Sequence, residues 1–179
     1  IGATLVGWIV TAYTLSIAAM SVPFGKIADA AGRRGVLILG ISVFAVMSLG
    51  CGFCTDIWIL LVLRVAQGFG AAMIFATNNA ILISVYPADQ RGRVLGLSSA
   101  SVYVGLSLGP VIGGFLNHYA GWRSIFFLVT AVSAAVLAAT VRGIPRKEKP
   151  EQAVKVDVPG NLLYILCITL FLYGLTNLS

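Results

Sequence analysis

Gly25-Lys26-Ile27-Ala28-Asp29-Ala30-Ala31-Gly32-Arg33-Arg34 sets four charged side chains between two long runs that carry none, residues 1–25 and 35–55. About 20 residues of apolar helix cross a hydrocarbon layer roughly 30 Å thick. Each flanking run is long enough for one crossing. The charged decapeptide therefore reads as a tight turn at a membrane surface, joining two spans.

Outward from this turn the same pattern repeats. Residues 65–88, 94–122, 124–141 and 158–179 are also free of charge. In lipid every backbone N–H and C=O must be satisfied internally, which runs of this length achieve as helices. The sequence predicts an all-α, polytopic membrane helix bundle. Its roughly six transmembrane helices lie near 5–25, 35–54, 58–85, 94–116, 122–141 and 158–178.

Composition excludes the alternatives. The 179 residues are 59% hydrophobic and 10% charged, with a mean hydropathy of +0.97. Ordinary soluble domains carry about 25% charge, and disordered chains are poor in apolar residues. The three cysteines, Cys51, Cys54 and Cys167, all lie in apolar runs and imply no disulfide framework. Cys51-Gly52-Phe53-Cys54 has redox spacing, but its place in a span reads as small buried residues.

The charges also orient the chain. Lys26, Arg33, Arg34, Arg91, Arg93, Arg142, Arg146, Lys147, Lys149 and Lys155 are ten of the twelve Lys and Arg, and all fall on one side of the six spans. The positive-inside rule makes that side cytoplasmic, at 26–34, 87–93 and 142–157, and puts Ile1 outside. The net charge of +6 is thus topological, and nucleic-acid binding has no support. The chain starts at Ile1 with no Met and no signal peptide. It reads as a piece of a longer protein in which an earlier helix precedes it.

Two features within the spans go beyond a lipid-soluble scaffold. Arg64 sits inside the third span, where a charge is costly and normally faces a bundle interior or cavity. At about 100° per residue, Gln67, Gly68, Ala71, Phe75 and Asn78 share its face, whereas Leu61, Leu63, Ile74 and Ile81 lie elsewhere. No carboxylate lies within a span, since Asp29, Asp56, Asp89 and Asp157 are at span ends. In the fourth span, Gly105, Gly109 and Gly113 form a ridge that permits close helix approach. Pro110 and Gly114 beside it suggest a packed, bent helix. In the first turn, Asp29 is placed to cap or face a helix N-terminus and to pair with Arg33 or Arg34.

No catalytic chemistry emerges. Gly68-Phe69-Gly70 follows no strand, His118 stands without a nucleophile or acid, and there is no metal-ligand cluster. The sequence supports no enzyme, no catalytic residue and no metal site.

These segments together resemble the major facilitator superfamily. Gly25, Asp29, Gly32, Arg33, Arg34 and Leu37 match its cytoplasmic loop signature, with departures at Ile27 and Ala30. Leu60 to Ala72 resembles the second signature through Arg64, Gln67, Gly68, Gly70, Ala71 and Ala72. Gly105, Gly109, Pro110, Gly113 and Gly114 resemble the motif associated with antiporters, and Pro87 to Arg93 with Gly96 resembles the connection before it. Asp157 to Asn161 is similar to the start of the extra helix in the fourteen-span drug:proton antiporter branch.

The resemblance implies residues 1–142 as an N-terminal bundle lacking its first helix, 143–157 as a cytoplasmic linker and 158–179 as an additional membrane helix. It implies alternating access, with two bundles rocking about a central site. Arg64 and Gln67 would lie on the substrate or proton route, and Asp29 with Arg33 would latch the cytoplasmic side. Tyr13, Asn78 and Asn79 are candidates for the substrate cavity. The partners would be protons, a small-molecule substrate, the lipid of a plasma (inner) membrane and a second bundle outside this chain. The energy source would be the proton gradient, with no cofactor. Proton-coupled efflux of drugs or other amphipathic compounds leads. Uptake or metabolite exchange on the same fold, and a membrane sensor or assembly subunit without transport, are the alternatives.

Overall fold

The computed structural model describes residues 3–144 and 158–177. Six helices follow one another: α1 (Ala3–Ala31), α2 (Arg33–Phe53), α3 (Ile57–Val85), α4 (Ala88–Ala120), α5 (Arg123–Gly143) and α6 (Val158–Asn177). Five of them, α1 to α5, are long and apolar enough to cross a membrane, and α6 contributes a described apolar segment, Pro159–Phe171. At about 1.5 Å per residue, even the 21 residues of α2 and of α5 reach about 31 Å, the thickness of the hydrocarbon layer. Residues 145–157 of the expected linker lie outside the described residues.

The connections are short and chemically determined. Gly32 alone separates α1 from α2, at φ 102°, a conformation that L side chains rarely adopt. Gly121, at φ 77°, turns α4 into α5. Asp56 starts α3 by accepting a hydrogen bond from the Trp58 backbone N–H at 2.7 Å.

Helix and membrane limits differ. The sequence places the first and fourth spans at 5–25 and 94–116, but α1 runs on to Ala31 and α4 begins at Ala88. Charged residues end the apolar layer without ending the helix. Lys26 and Asp29 ride the last turns of α1, and Asp89, Arg91 and Arg93 ride the first turns of α4.

α3 is central, packed between α1 and α2, while α2 also packs on α5 and α6 lies against α1. Apolar groups gain little by meeting each other in lipid, so close backbone approach must supply the packing energy. It does so at small residues. A Cβ on Gly40 would lie 2.7 Å from the Met73 Cβ and 2.9 Å from the Gly70 carbonyl oxygen. A Cβ on Gly70 would meet the Phe44 nitrogen at 2.7 Å, and one on Gly68 would meet the Ser16 Cβ at 2.6 Å. α2 turns one stripe inward, including Leu37, Gly40, Ile41, Ser48 and Cys51. Cys51 and Cys54 are both buried and free, in a cluster with Leu60 and Phe126.

The fourth-span glycines face mostly open space among the described residues. Added Cβ atoms at Gly105, Gly109 and Gly114 would meet nothing within 4 Å, and one at Gly113 only Ile125 at 4.0 Å. No described residue of α4 is buried. Among the described residues the ridge touches only Ile125 of α5, and the close backbone approaches join α3 to α2 and, at Gly68, to α1. α4 continues as helix through Pro110.

Candidate transport site

Arg64 lies in α3 and points into the junction of α1, α2, α3 and α5. Its guanidinium carbon sits 4.9 Å from the ring centre of Phe126 and 5.4 Å from that of Tyr13. Its Nη1 donates to Gln67 Oε1 at 2.9 Å. Gln67 is 2% exposed, and its Nε2 donates to Ser48 Oγ at 2.6 Å. Ser48 in turn donates to the Phe44 carbonyl, also at 2.6 Å. The network thus runs from α3 into α2 and ends on backbone.

The magnitudes make this arrangement tolerable. An Arg at mid-helix costs at least about 3 kcal/mol to insert. A desolvated cation–π contact returns roughly 2 kcal/mol, and a hydrogen bond from a charged group roughly 1.5–3 kcal/mol. Two rings and one amide offset the insertion cost without a carboxylate, and none of the described residues supplies one. Arg64 Nε is buried and has no hydrogen-bond partner among the described residues.

Sequence reasoning found Arg64 and Gln67 but missed Ser48 and Phe126. Ser48 looks like the other span hydroxyls, most of which turn back onto their own helix. Phe126 lies 62 positions beyond Arg64, and no local pattern links them. Tyr13, a candidate for the substrate cavity with Asn78 and Asn79, lies against Arg64. Asn78 borders a separate cavity between α2, α3 and α5, and Asn79 is exposed. Of the face expected to avoid lipid, Gln67, Gly68 and Ala71 are buried, while Phe75 and Asn78 are exposed. Ile81, placed off that face, is buried against Leu37 and Ile41.

The loop signature forms a second constellation. Asp29 Oδ1 accepts from Arg33 Nε at 2.9 Å, one helical turn away across Gly32. The expected capping by Asp29 does not occur, because Gly32 is the N-cap of α2 and no side chain bonds there. Arg34 donates from Nε to the Ile144 carbonyl at 2.7 Å and from Nη2 to the Val141 carbonyl at 3.1 Å. A guanidinium thus satisfies carbonyls left over at the C-terminal end of α5, where the helix dipole favours a cation. At the opposite end, Arg123 Nη2 donates to the Cys54 carbonyl at 3.0 Å. The first turn and the end of α5 therefore share one end of the bundle, as the charge pattern requires. His118 is exposed, and no cluster of three metal-ligating side chains exists among the described residues.

The model of the Major Facilitator Superfamily matches residues 1–178. The chain belongs to the Major Facilitator Superfamily. It is 32% identical over 170 residues to the riboflavin transporter RibZ of Clostridioides difficile, covering 95% of this chain and 37% of that protein. It is 33% identical over 168 residues to the multidrug resistance protein Stp of Mycobacterium tuberculosis, covering 93% and 31%. With the methylenomycin A resistance protein of Streptomyces coelicolor it shares 35% over 173 residues, covering 96% and 36%. The chain spans about a third of the length of these relatives. The superfamily consists of integral membrane transporters rather than enzymes.

Proposed function

We propose that this chain forms most of one bundle of a secondary active transporter that exports drugs or other amphipathic compounds in exchange for protons. The observation that carries the reading is Arg64, a charge held inside the bundle by Gln67, Tyr13 and Phe126 with its Nε left open. A guanidinium keeps its charge at any physiological pH. Arg64 is then not the group that takes up the proton. It is a fixed cation that an anionic group, on a substrate or on a proton-carrying carboxylate, meets in one state and leaves in another. The two relatives named as resistance proteins support export.

In this reading the exposed face of α4, with Gly105, Gly109, Pro110, Gly113 and Gly114, meets a second bundle outside this chain. The Asp29–Arg33 turn and the Arg34 clamp lie on the cytoplasmic face of a plasma (inner) membrane and help close it. The proton gradient supplies the energy without a cofactor, and nucleic acid plays no part. A second reading, uptake or exchange of a metabolite on the same fold, draws support from the relative named as a riboflavin transporter.

The test uses the full-length protein in sealed vesicles with an imposed pH gradient, lipophilic cations as substrate and a fluorescent pH probe inside. Protons moving opposite to substrate support exchange-driven export. Protons moving with substrate, or no proton movement, overturn it in favour of the second reading.

A further inference from the structure

Between the inner halves of α2, α3 and α5 lies a cavity of about 350 Å³ that the transport reading does not use. Ile41 of α2, Ile74 and Ile81 of α3 and Val136 of α5 form its apolar walls. Three polar side chains interrupt them: Asn78, Ser133 and Thr140, whose hydroxyl is spent on the Val136 carbonyl. Asn78 stands at the exposed rim, where its Nδ2 reaches Ser98 Oγ at 3.3 Å. Ser133 of α5 lines the interior and is 8% exposed.

Ser133 is the telling residue. On either side of it, Thr130 and Thr140 donate to carbonyls four residues earlier, each at 2.8 Å. That is how a helix hides a hydroxyl from an apolar medium. Ser133 does not do this, and among the described residues its hydroxyl has no hydrogen-bond partner. Its oxygen is not among the enclosed atoms that lack a partner, so it opens onto the cavity, and a hydroxyl facing an apolar space unpaired loses up to about 1–3 kcal/mol. The cost is relieved if a molecule in the cavity bonds to it.

The lining defines that molecule. No charged side chain borders the cavity, so an anionic or zwitterionic headgroup finds no counter-charge. The volume lies at the lower end of the range for small-molecule sites, about 300–1,000 Å³. We propose that this cavity is a binding site for a small, uncharged amphiphile dissolved in the membrane: an apolar body of one or two rings with one hydrogen-bond acceptor, received by Ser133. It lies apart from Arg64 and requires no particular direction of transport. Its floor includes Ile144, the residue whose carbonyl Arg34 holds. A bound molecule therefore braces α5 against α2 and α3 directly behind the cytoplasmic clamp.

Benzophenone tests this directly, being neutral, apolar, a carrier of a single carbonyl acceptor and itself photoreactive. The full-length protein in lipid nanodiscs is irradiated with benzophenone, and adducts are mapped by peptide mass spectrometry. Saturable labelling concentrated on 74–82 and 132–140 is expected. Ser133→Ala should weaken half-saturation by about fivefold, the worth of one neutral hydrogen bond. Val136→Trp, at a half-exposed wall position, should abolish the saturable part by filling the space, and circular dichroism and monodisperse elution check that both variants fold. Labelling spread evenly over the exposed faces of α4 and α6, or indifferent to both substitutions, overturns the proposal. So does a phospholipid that co-purifies with the wild type, blocks labelling and is lost from Val136→Trp.

Discussion

Gly40→Ala should destabilise the bundle, although it adds a single methyl group. The new Cβ would lie 2.7 Å from the Met73 Cβ, where ordinary contact begins at 3.4 Å, so α2 and α3 must part by about 0.7 Å. The second obstacle is the Gly70 carbonyl at 2.9 Å, which is backbone and cannot rotate away. Overpacking of this kind costs roughly 1–3 kcal/mol. Ala has a helix-propensity advantage of up to about 1 kcal/mol over Gly, which opposes it. The net loss should be about 1–2 kcal/mol. Gly35→Ala on the same helix is the control, because nothing lies within 4 Å of its added Cβ. It should be neutral or slightly stabilising. Denaturant unfolding of the purified protein in detergent, followed by tryptophan fluorescence, reads both. Equal stability of the two variants would refute the claim that α2 and α3 are held by backbone approach at Gly40.

Other perturbations separate the remaining contacts. Arg34→Ala frees the carbonyls of Val141 and Ile144, so backbone amides near the end of α5 should exchange with solvent at least tenfold faster, while those of α3 near Arg64 should not change. Gln67→Leu strands Arg64 Nη1 and should cost about 2 kcal/mol on unfolding, with transport reduced further; wild-type unfolding would show that the relay to Ser48 carries no energy. Gly109→Leu should leave the unfolding of this bundle unchanged, since nothing faces that position here, yet abolish transport if α4 meets a second bundle. Normal flux from that variant would remove α4 from the moving interface.

The helices were legible because the bilayer imposes their length and because charges punctuate the runs between them. Their ends were less so, since Lys26 and Asp29, or Asp89 and Arg91, mark the membrane boundary while the backbone stays helical beyond it. Arg64 stood out because a lone charge in a span is expensive. Its companions did not stand out. Phe126 and Tyr13 belong to helices whose apposition only the fold determines, and Phe126 reads as an ordinary lipid-soluble aromatic. The glycines make the same point in reverse. Gly105, Gly109 and Gly113 form the conspicuous pattern but make no close contact among the described residues, whereas Gly40 belongs to no repeat and would place a Cβ 2.7 Å from Met73 of α3. Spacing shows that a surface permits close approach. It does not show which surface has a partner.

Arg64 is proposed as a fixed charge on the transport route, held open at Nε. Its most direct test is Arg64→Gln in the full-length protein, reconstituted in vesicles beside wild type, with substrate movement driven by a pH gradient and exchange followed without one. Gln keeps a polar side chain in place but removes the charge. Gradient-driven movement should be lost, with unfolding within about 2 kcal/mol of wild type. Wild-type rates in both assays would contradict it and leave Arg64 as a brace between helices.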